Sequence, residues 1–157
     1  MASNASLRLD LPDEMATAAL AGRLARLARI GDLIALRGDL GMGKTAFARA
    51  FIRALTTPDE DVPSPTFTLV QSYDSAGGPI WHVDLYRLDS PDDALELDLD
   101  EAFHDAIVLI EWPDRLGPLL PVDRLDVTLA PGAGPDARVA LLEARGDWAD
   151  RLRGLDR

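Results

Sequence analysis

At 157 residues the chain has room for one hydrophobic core and no need of covalent staples, since a chain near this length buries about 70% of its extended-chain surface. It contains no cysteine, which excludes a disulfide framework, a thiol nucleophile and a cysteine zinc site, and suits a reducing compartment. The formal net charge is −11, with acidic residues spread along the chain rather than gathered in a tail, and a surface of that sign repels a phosphate backbone unless a local arginine patch overrides it. The opening MASNASLRLDLPDE has no basic leader and no apolar h-region, and no apolar run approaches the roughly 20 residues of a membrane span. A cytoplasmic protein with no membrane contact is expected.

Leu7–Leu11 alternates apolar and charged residues, as a half-buried edge strand does. Pro12-Asp13-Glu14 then opens a helix to about Arg29, with Leu20, Leu24 and Leu27 on one face and Arg23, Arg26 and Arg29 towards solvent. Leu33, Ile34, Ala35 and Leu36 form a buried-strand run that leads into Gly38-Asp39-Leu40-Gly41-Met42-Gly43-Lys44-Thr45. Ala46–Leu55 follows as a helix carrying Phe47, Ala50, Phe51 and Leu55 on its apolar side. Strand, glycine-rich loop and helix together make a complete Walker A sequence in its required context.

The chemistry needs each part of that stretch. Its glycines permit backbone angles that turn successive N–H groups inward, and the helix start adds roughly half a positive charge. Residues 38 to 46 thus form a phosphate cradle, with Lys44 reaching the β and γ phosphates and the Thr45 hydroxyl taking one position on Mg²⁺. Lys44 is the only lysine, against fifteen arginines, so the single exception to an arginine-biased composition falls at the position where this motif requires lysine.

Thr56–Pro63 is a turn-rich acidic connection, followed by Ser64-Pro65-Thr66-Phe67 and a strand over Thr68–Tyr73. Thr66 has two readings, a plain turn residue or a switch that senses the γ-phosphate. Ser75–Gly78 makes a hairpin turn, and Pro79–Leu85 returns as the paired strand, with His82 and Asp84 on one face and Trp81 and Val83 on the other. Asp84 either orients the attacking or magnesium-bound water or caps a loop and pairs with Arg87. His82 reads as a packed or hydrogen-bonded sheet residue, because no second histidine stands at a ligand spacing.

Ser90–Phe103 reads as two short helices with an acidic, leucine-spaced run that is either a solvated face or a partner surface. Ala106–Ile110 is a fully buried strand of the parallel-sheet type, and the acid that follows it, Glu111, has the placement of a Walker B carboxylate holding Mg²⁺. Trp112 is either core or a wall of the site. The segment after Glu111 is proline-rich and hairpin-like; Leu125–Leu129 and Ala137–Glu143 form a second hairpin, and Gly146–Arg157 is a short amphipathic helix or a frayed tail. The whole, residues 1 to 157, is expected to be one three-layer α/β domain of P-loop type with a mixed, largely parallel sheet flanked by helices.

With these residues assembled, GDLGMGKT, SPTFTLVQSY, HVDLYRL and IEWPDRL stand in the order and approximate spacing of the bacterial tRNA threonylcarbamoyladenosine biosynthesis ATPases, the TsaE (formerly YjeE) family. The chain resembles that family from about Leu11 to Leu129. The resemblance implies a small Mg-ATP-dependent ATPase that assists formation of N6-threonylcarbamoyladenosine at position 37 of tRNAs reading codons that begin with adenine. It implies docking on a TsaD-type transferase and its TsaB-type partner, hydrolysis that resets the complex, and contact with tRNA only through it. By the same resemblance, Lys44 and Thr45 match the phosphate and magnesium positions, Glu111 the second magnesium ligand and Asp84 a catalytic acid. Thr66 matches the switch threonine and Trp112 the tryptophan beside the site. The family often has a second threonine where this chain has Ala46, which removes one hydroxyl near the α-phosphate.

Two other classes bear on the Walker A. A small-molecule kinase needs an acceptor pocket and usually an arginine-bearing lid, which the proline-rich segment after Glu111 does not resemble. A guanine-nucleotide switch uses an Asn/Thr-Lys-x-Asp element for the base, and a chain whose sole lysine is Lys44 has none. The adenine-contacting residues are not legible, apart from Leu11–Thr17 as a possible rim. No arginine stands out as a catalytic finger, although Arg87 and Arg115 lie near the site segments in sequence.

Overall fold

In the computed structural model, which describes residues 4–65 and 67–155, the chain begins β1 (Asn4–Leu11), α1 (Glu14–Leu27), β2 (Leu33–Arg37), α2 (Lys44–Leu55), β3 (Val70–Tyr73) and β4 (Ile80–Asp84). It continues α3 (Leu99–Asp105), β5 (Ile107–Glu111), β6 (Arg124–Pro131), β7 (Arg138–Arg145) and α4 (Trp148–Leu155). Tight 3-10 segments at Pro91–Leu97 and Pro113–Leu119 precede α3 and β6.

The strands form one sheet in the order β1-β7-β6-β2-β5-β4-β3. β6, β2, β5 and β4 pair in parallel, and the antiparallel partners β3, β7 and β1 flank them, so five of the seven strands point the same way. On one face, Ile34, Leu36, Leu109 and Val127 pack against Leu24 of α1, Phe47 and Phe51 of α2 and Leu152 of α4. On the other, Leu33, Val83, Val108 and Ile110 meet Ala94, Leu99 and Leu116. β2 and β5 are thus covered on both sides, which is why their sequences are continuous apolar runs. β1 lies at the sheet edge and its burial alternates residue by residue, as its sequence does. The result is the mixed, largely parallel α/β sheet between flanking helices that the pattern predicts. Among the described residues no helix is long and apolar enough to cross a membrane.

Several boundaries differ from the sequence reading for local reasons. α1 stops at Leu27 rather than about Arg29, because Ala28 is extended and the Arg29 N–H donates to Asp32 Oδ2 at 2.6 Å. β3 starts at Val70 rather than Thr68: Leu69 has φ 67° and its N–H closes a turn on the Pro65 carbonyl at 2.7 Å. The segment after Glu111 is not hairpin-like but 3-10 helical, broken at Gly117, and the hairpin there is β6–β7.

The C-terminal stretch is a docked helix rather than a frayed tail. Trp148, Ala149, Leu152 and Leu155 are buried on one side of α4. Arg151 forms a two-pronged ion pair with Asp32 (2.6 and 2.9 Å), donates to the Leu27 carbonyl at 2.8 Å and covers the Trp148 ring at 4.0 Å. Leu152→Ala is therefore expected to lower the unfolding free energy by about 2–5 kcal/mol in a denaturant titration. A loss under about 0.5 kcal/mol would mean that α4 is not part of the core.

Candidate functional site

The loop between β2 and α2 turns on Gly38, Gly41 and Gly43, whose φ values are 140°, 84° and 100°. At Gly38 the constraint is spatial as well as angular, since a Cβ there would stand 2.6 Å from the Leu129 carbonyl of β6. Lys44 opens α2 and is only 5% exposed. Its ammonium donates to the Gly38 carbonyl at 2.5 Å and to that of Asp39 at 3.0 Å, and lies 4.2 Å from the centre of the Trp112 ring. Burial holds its pKa below the ordinary lysine value, opposed by the charges of Glu111, Asp84 and Asp39.

The two candidate carboxylates close the other side. Asp84 and Glu111 end the neighbouring parallel strands β4 and β5, stand directly opposite each other in register, and are 5% and 3% exposed. Glu111 accepts from the Thr45 hydroxyl, whose Oγ1 lies 2.9 Å from Oε1 and 3.0 Å from Oε2. The fully buried His82 bonds the same carboxylate, Nε2 to Oε2 at 2.7 Å, while its Nδ1 has no hydrogen-bond partner among the described residues. Asp84 Oδ1 accepts from the Tyr86 N–H at 3.0 Å, and the Tyr86 and Trp112 rings stand 5.0 Å apart.

The fold thus brings Lys44, Thr45, Asp84, Glu111 and Trp112 together from three separate stretches of sequence. Asp39 and Leu40 are exposed at the loop, and Ala46 is exposed in the first turn of α2. Thr66 lies outside the described residues. The hydroxyl and carboxylate oxygens of Thr45 and Glu111 are hard donors suited to Mg²⁺, an ion that is commonly held by one or two carboxylates and completed by phosphate and water. Among the described residues no group of three or more His, Asp or Glu could hold a metal by itself, so this donor set fits an ion shared with a phosphate.

Beside the loop lies a groove of about 590 Å³, lined in part by Met15, Thr17, Gly41, Arg49 and Arg138. It takes in part of the Leu11–Thr17 rim. Arg138, at the start of β7, was not legible in the sequence: its Nε donates to the Met42 carbonyl at 3.0 Å and its Nη2 to that of Gly41 at 3.4 Å, bracing the loop from outside. Its signal in the linear pattern is nil, because the contact joins residues almost a hundred positions apart. Arg87 lies over the exposed Phe67 ring at 4.4 Å and Arg115 over Tyr86 at 5.9 Å.

Comparison with known proteins agrees with this fold. The model of the family described as threonylcarbamoyl adenosine biosynthesis protein TsaE matches residues 11–138. The tRNA threonylcarbamoyladenosine biosynthesis protein TsaE of Rickettsia felis is 40% identical over 121 residues, covering 77% of this chain and 71% of that one. The protein of the same name from Bacillus subtilis is 38% identical over 142 residues, covering 90% and 86%. The crystal structure of YdiB from Bacillus subtilis superposes with a TM-score of 0.77 at 32% identity, covering 98% of this chain and 94% of that one. A Walker A loop on a seven-stranded sheet, matched in sequence along most of its length and in fold along nearly all of it, places this chain in the TsaE family.

Proposed function

We propose that the chain is the ATPase of tRNA N6-threonylcarbamoyladenosine formation, binding Mg-ATP and hydrolysing it in complex with a TsaD-type transferase and its TsaB-type partner. The names borne by its relatives support the pathway. The observation that carries the chemistry is the meeting of the Thr45 hydroxyl with the Glu111 carboxylate at the start of α2, next to the sole lysine.

In this reading the loop amides and Lys44 hold the β and γ phosphates, and the groove beside Met15 and Arg138 takes the base and ribose. Thr45 and Glu111 hold Mg²⁺, which when bound neutralises charge that develops on the phosphates. Glu111, held by Thr45 and His82, serves the metal, and Asp84, opposite it in register at the end of β4, is assigned the water-orienting role. Trp112 walls the site over Lys44 and keeps bulk water from its ammonium. Arg87 and Arg115 rest on aromatic rings rather than on the loop, which supports slow hydrolysis by the chain alone and faster hydrolysis once a partner completes the site.

Lys44→Ala removes charge-assisted contacts worth about 1.5–3 kcal/mol each, so retention of a non-hydrolysable ATP analogue should weaken about ten- to a hundredfold and tRNA modification in a reconstituted system should cease. Unchanged retention and unchanged modification would refute the assignment. His82 positions Glu111 rather than touching the phosphates. His82→Ala should raise the Mg²⁺ concentration needed for half-maximal hydrolysis about tenfold, with His82→Gln restoring part of the loss, as seen by titrating the metal at saturating ATP. An equal defect at every metal concentration would indicate general misfolding instead.

A further inference from the structure

Away from the nucleotide loop, Pro91–Leu97, α3 and Pro113–Leu119 enclose a groove of about 140 Å³. Its apolar lining includes Ala94, Leu99, Phe103 and Leu116, and Asp98, Asp100 and Glu101 stand around it. Leu95 and Leu119 also line it and are 62% and 40% exposed. Between Asp89 and Asp105 eight side chains are carboxylates and none is lysine or arginine, so this stretch holds most of the net charge of −11. A lone exposed leucine needs no explanation. Two of them beside an apolar hollow, within the most acidic stretch of the chain, are different. A cavity of about 150 Å³ takes a benzene-sized group, so the hollow has room for one apolar side chain.

The groove also shares a wall with the nucleotide site. Pro113–Leu119, which supplies Leu116 and Leu119, begins immediately after Trp112, whose ring covers Lys44. Within the same segment Asp114 pairs with Arg37, the residue preceding Gly38 of the loop. A body seated in the groove would therefore press on a segment fastened to the phosphate loop at two points.

We propose that this groove docks a basic segment of the transferase pair, one apolar side chain filling the hollow and flanking Lys or Arg side chains facing Asp98, Asp100 and Glu101. The inference rests on the reading that this ATPase works on such a pair. Charge complementarity selects the occupant: RNA and a second copy of this acidic chain are both repelled. Occupancy reaches the nucleotide through Pro113–Leu119.

The test is titration calorimetry of the purified transferase pair, with ATP analogue present, into three forms of the full chain. These are the wild type, the groove variant Asp98→Lys/Asp100→Lys/Glu101→Lys, and a charge-matched control, Asp59→Lys/Asp74→Lys/Glu143→Lys, at exposed positions elsewhere. The groove variant should bind the pair at least about tenfold more weakly with analogue retention unchanged, the control should bind like wild type, and high salt should erase the difference. Leu95→Ala, which leaves the charge alone, should also weaken binding. Equal affinity of wild type and groove variant, or an equal loss in the control, overturns the groove while leaving the ATPase reading intact. A wild type that retains the analogue but never binds the pair overturns the partner reading itself. Groove-dependent binding of tRNA, or self-association lost in the groove variant, overturns the choice of occupant.

Discussion

The hydrogen bond between Thr45 and Glu111 can exist only because β2 and β5 are parallel neighbours. Parallel pairing puts the carboxyl ends of both strands at one edge of the sheet, so the loop leaving β2 and the acid ending β5 arrive at the same place. β4, parallel to β5, delivers Asp84 to the same edge. Open α/β sheets place ligands outside the carboxyl ends of their strands for this reason. The continuous apolar runs of β2 and β5 are therefore not only a core; they fix the spacing at which a hydroxyl, two carboxylates and an ammonium converge.

That convergence is costly. Lys44, His82, Asp84 and Glu111 are all buried at one edge, and charges taken out of water recover their solvation only through well-aligned partners. Lys44 recovers part of it from two loop carbonyls and an aromatic face, and Glu111 from a hydroxyl and an imidazole. Asp126 shows the alternative use of a buried acid. It lies on β6, 3% exposed, with its oxygens 3.0 and 3.1 Å from Arg37 and Arg124 and 3.9 Å from Arg145. A carboxylate surrounded by arginines on three strands ties the sheet together. Glu111 meets a hydroxyl and an imidazole at a helix start instead, the setting that the proposed cation site requires.

What the linear sequence disclosed follows the range of the interactions involved. The Walker A stretch was legible because its strand, glycines, lysine and helix are consecutive, and each has a local physical reason to be where it is. The alternation of β1, the two short helical segments after Ser90 and the second hairpin were legible on the same ground. Arg138 was not, because it meets Met42 across the sheet. His82 was recognised as a hydrogen-bonded sheet residue, but its partner lies twenty-nine positions away on β5. The charged sequence of α4 suits a helix or a tail equally, because the seat of its four buried residues is formed by distant elements. The prolines of the segment after Glu111 suit a tight 3-10 turn as well as a hairpin, so their pattern alone does not separate the two.

The central claim is that Thr45 and Glu111 act together as one cation site shared with a nucleotide. A double-mutant cycle with Thr45→Ala and Glu111→Ala, read as ATP-analogue affinity with and without Mg²⁺, addresses it directly. If the site is one unit, either single change removes most of the magnesium-dependent affinity, the double variant loses little more, and the coupling vanishes when Mg²⁺ is withheld. Losses that simply add, or that are the same with and without the metal, would contradict it.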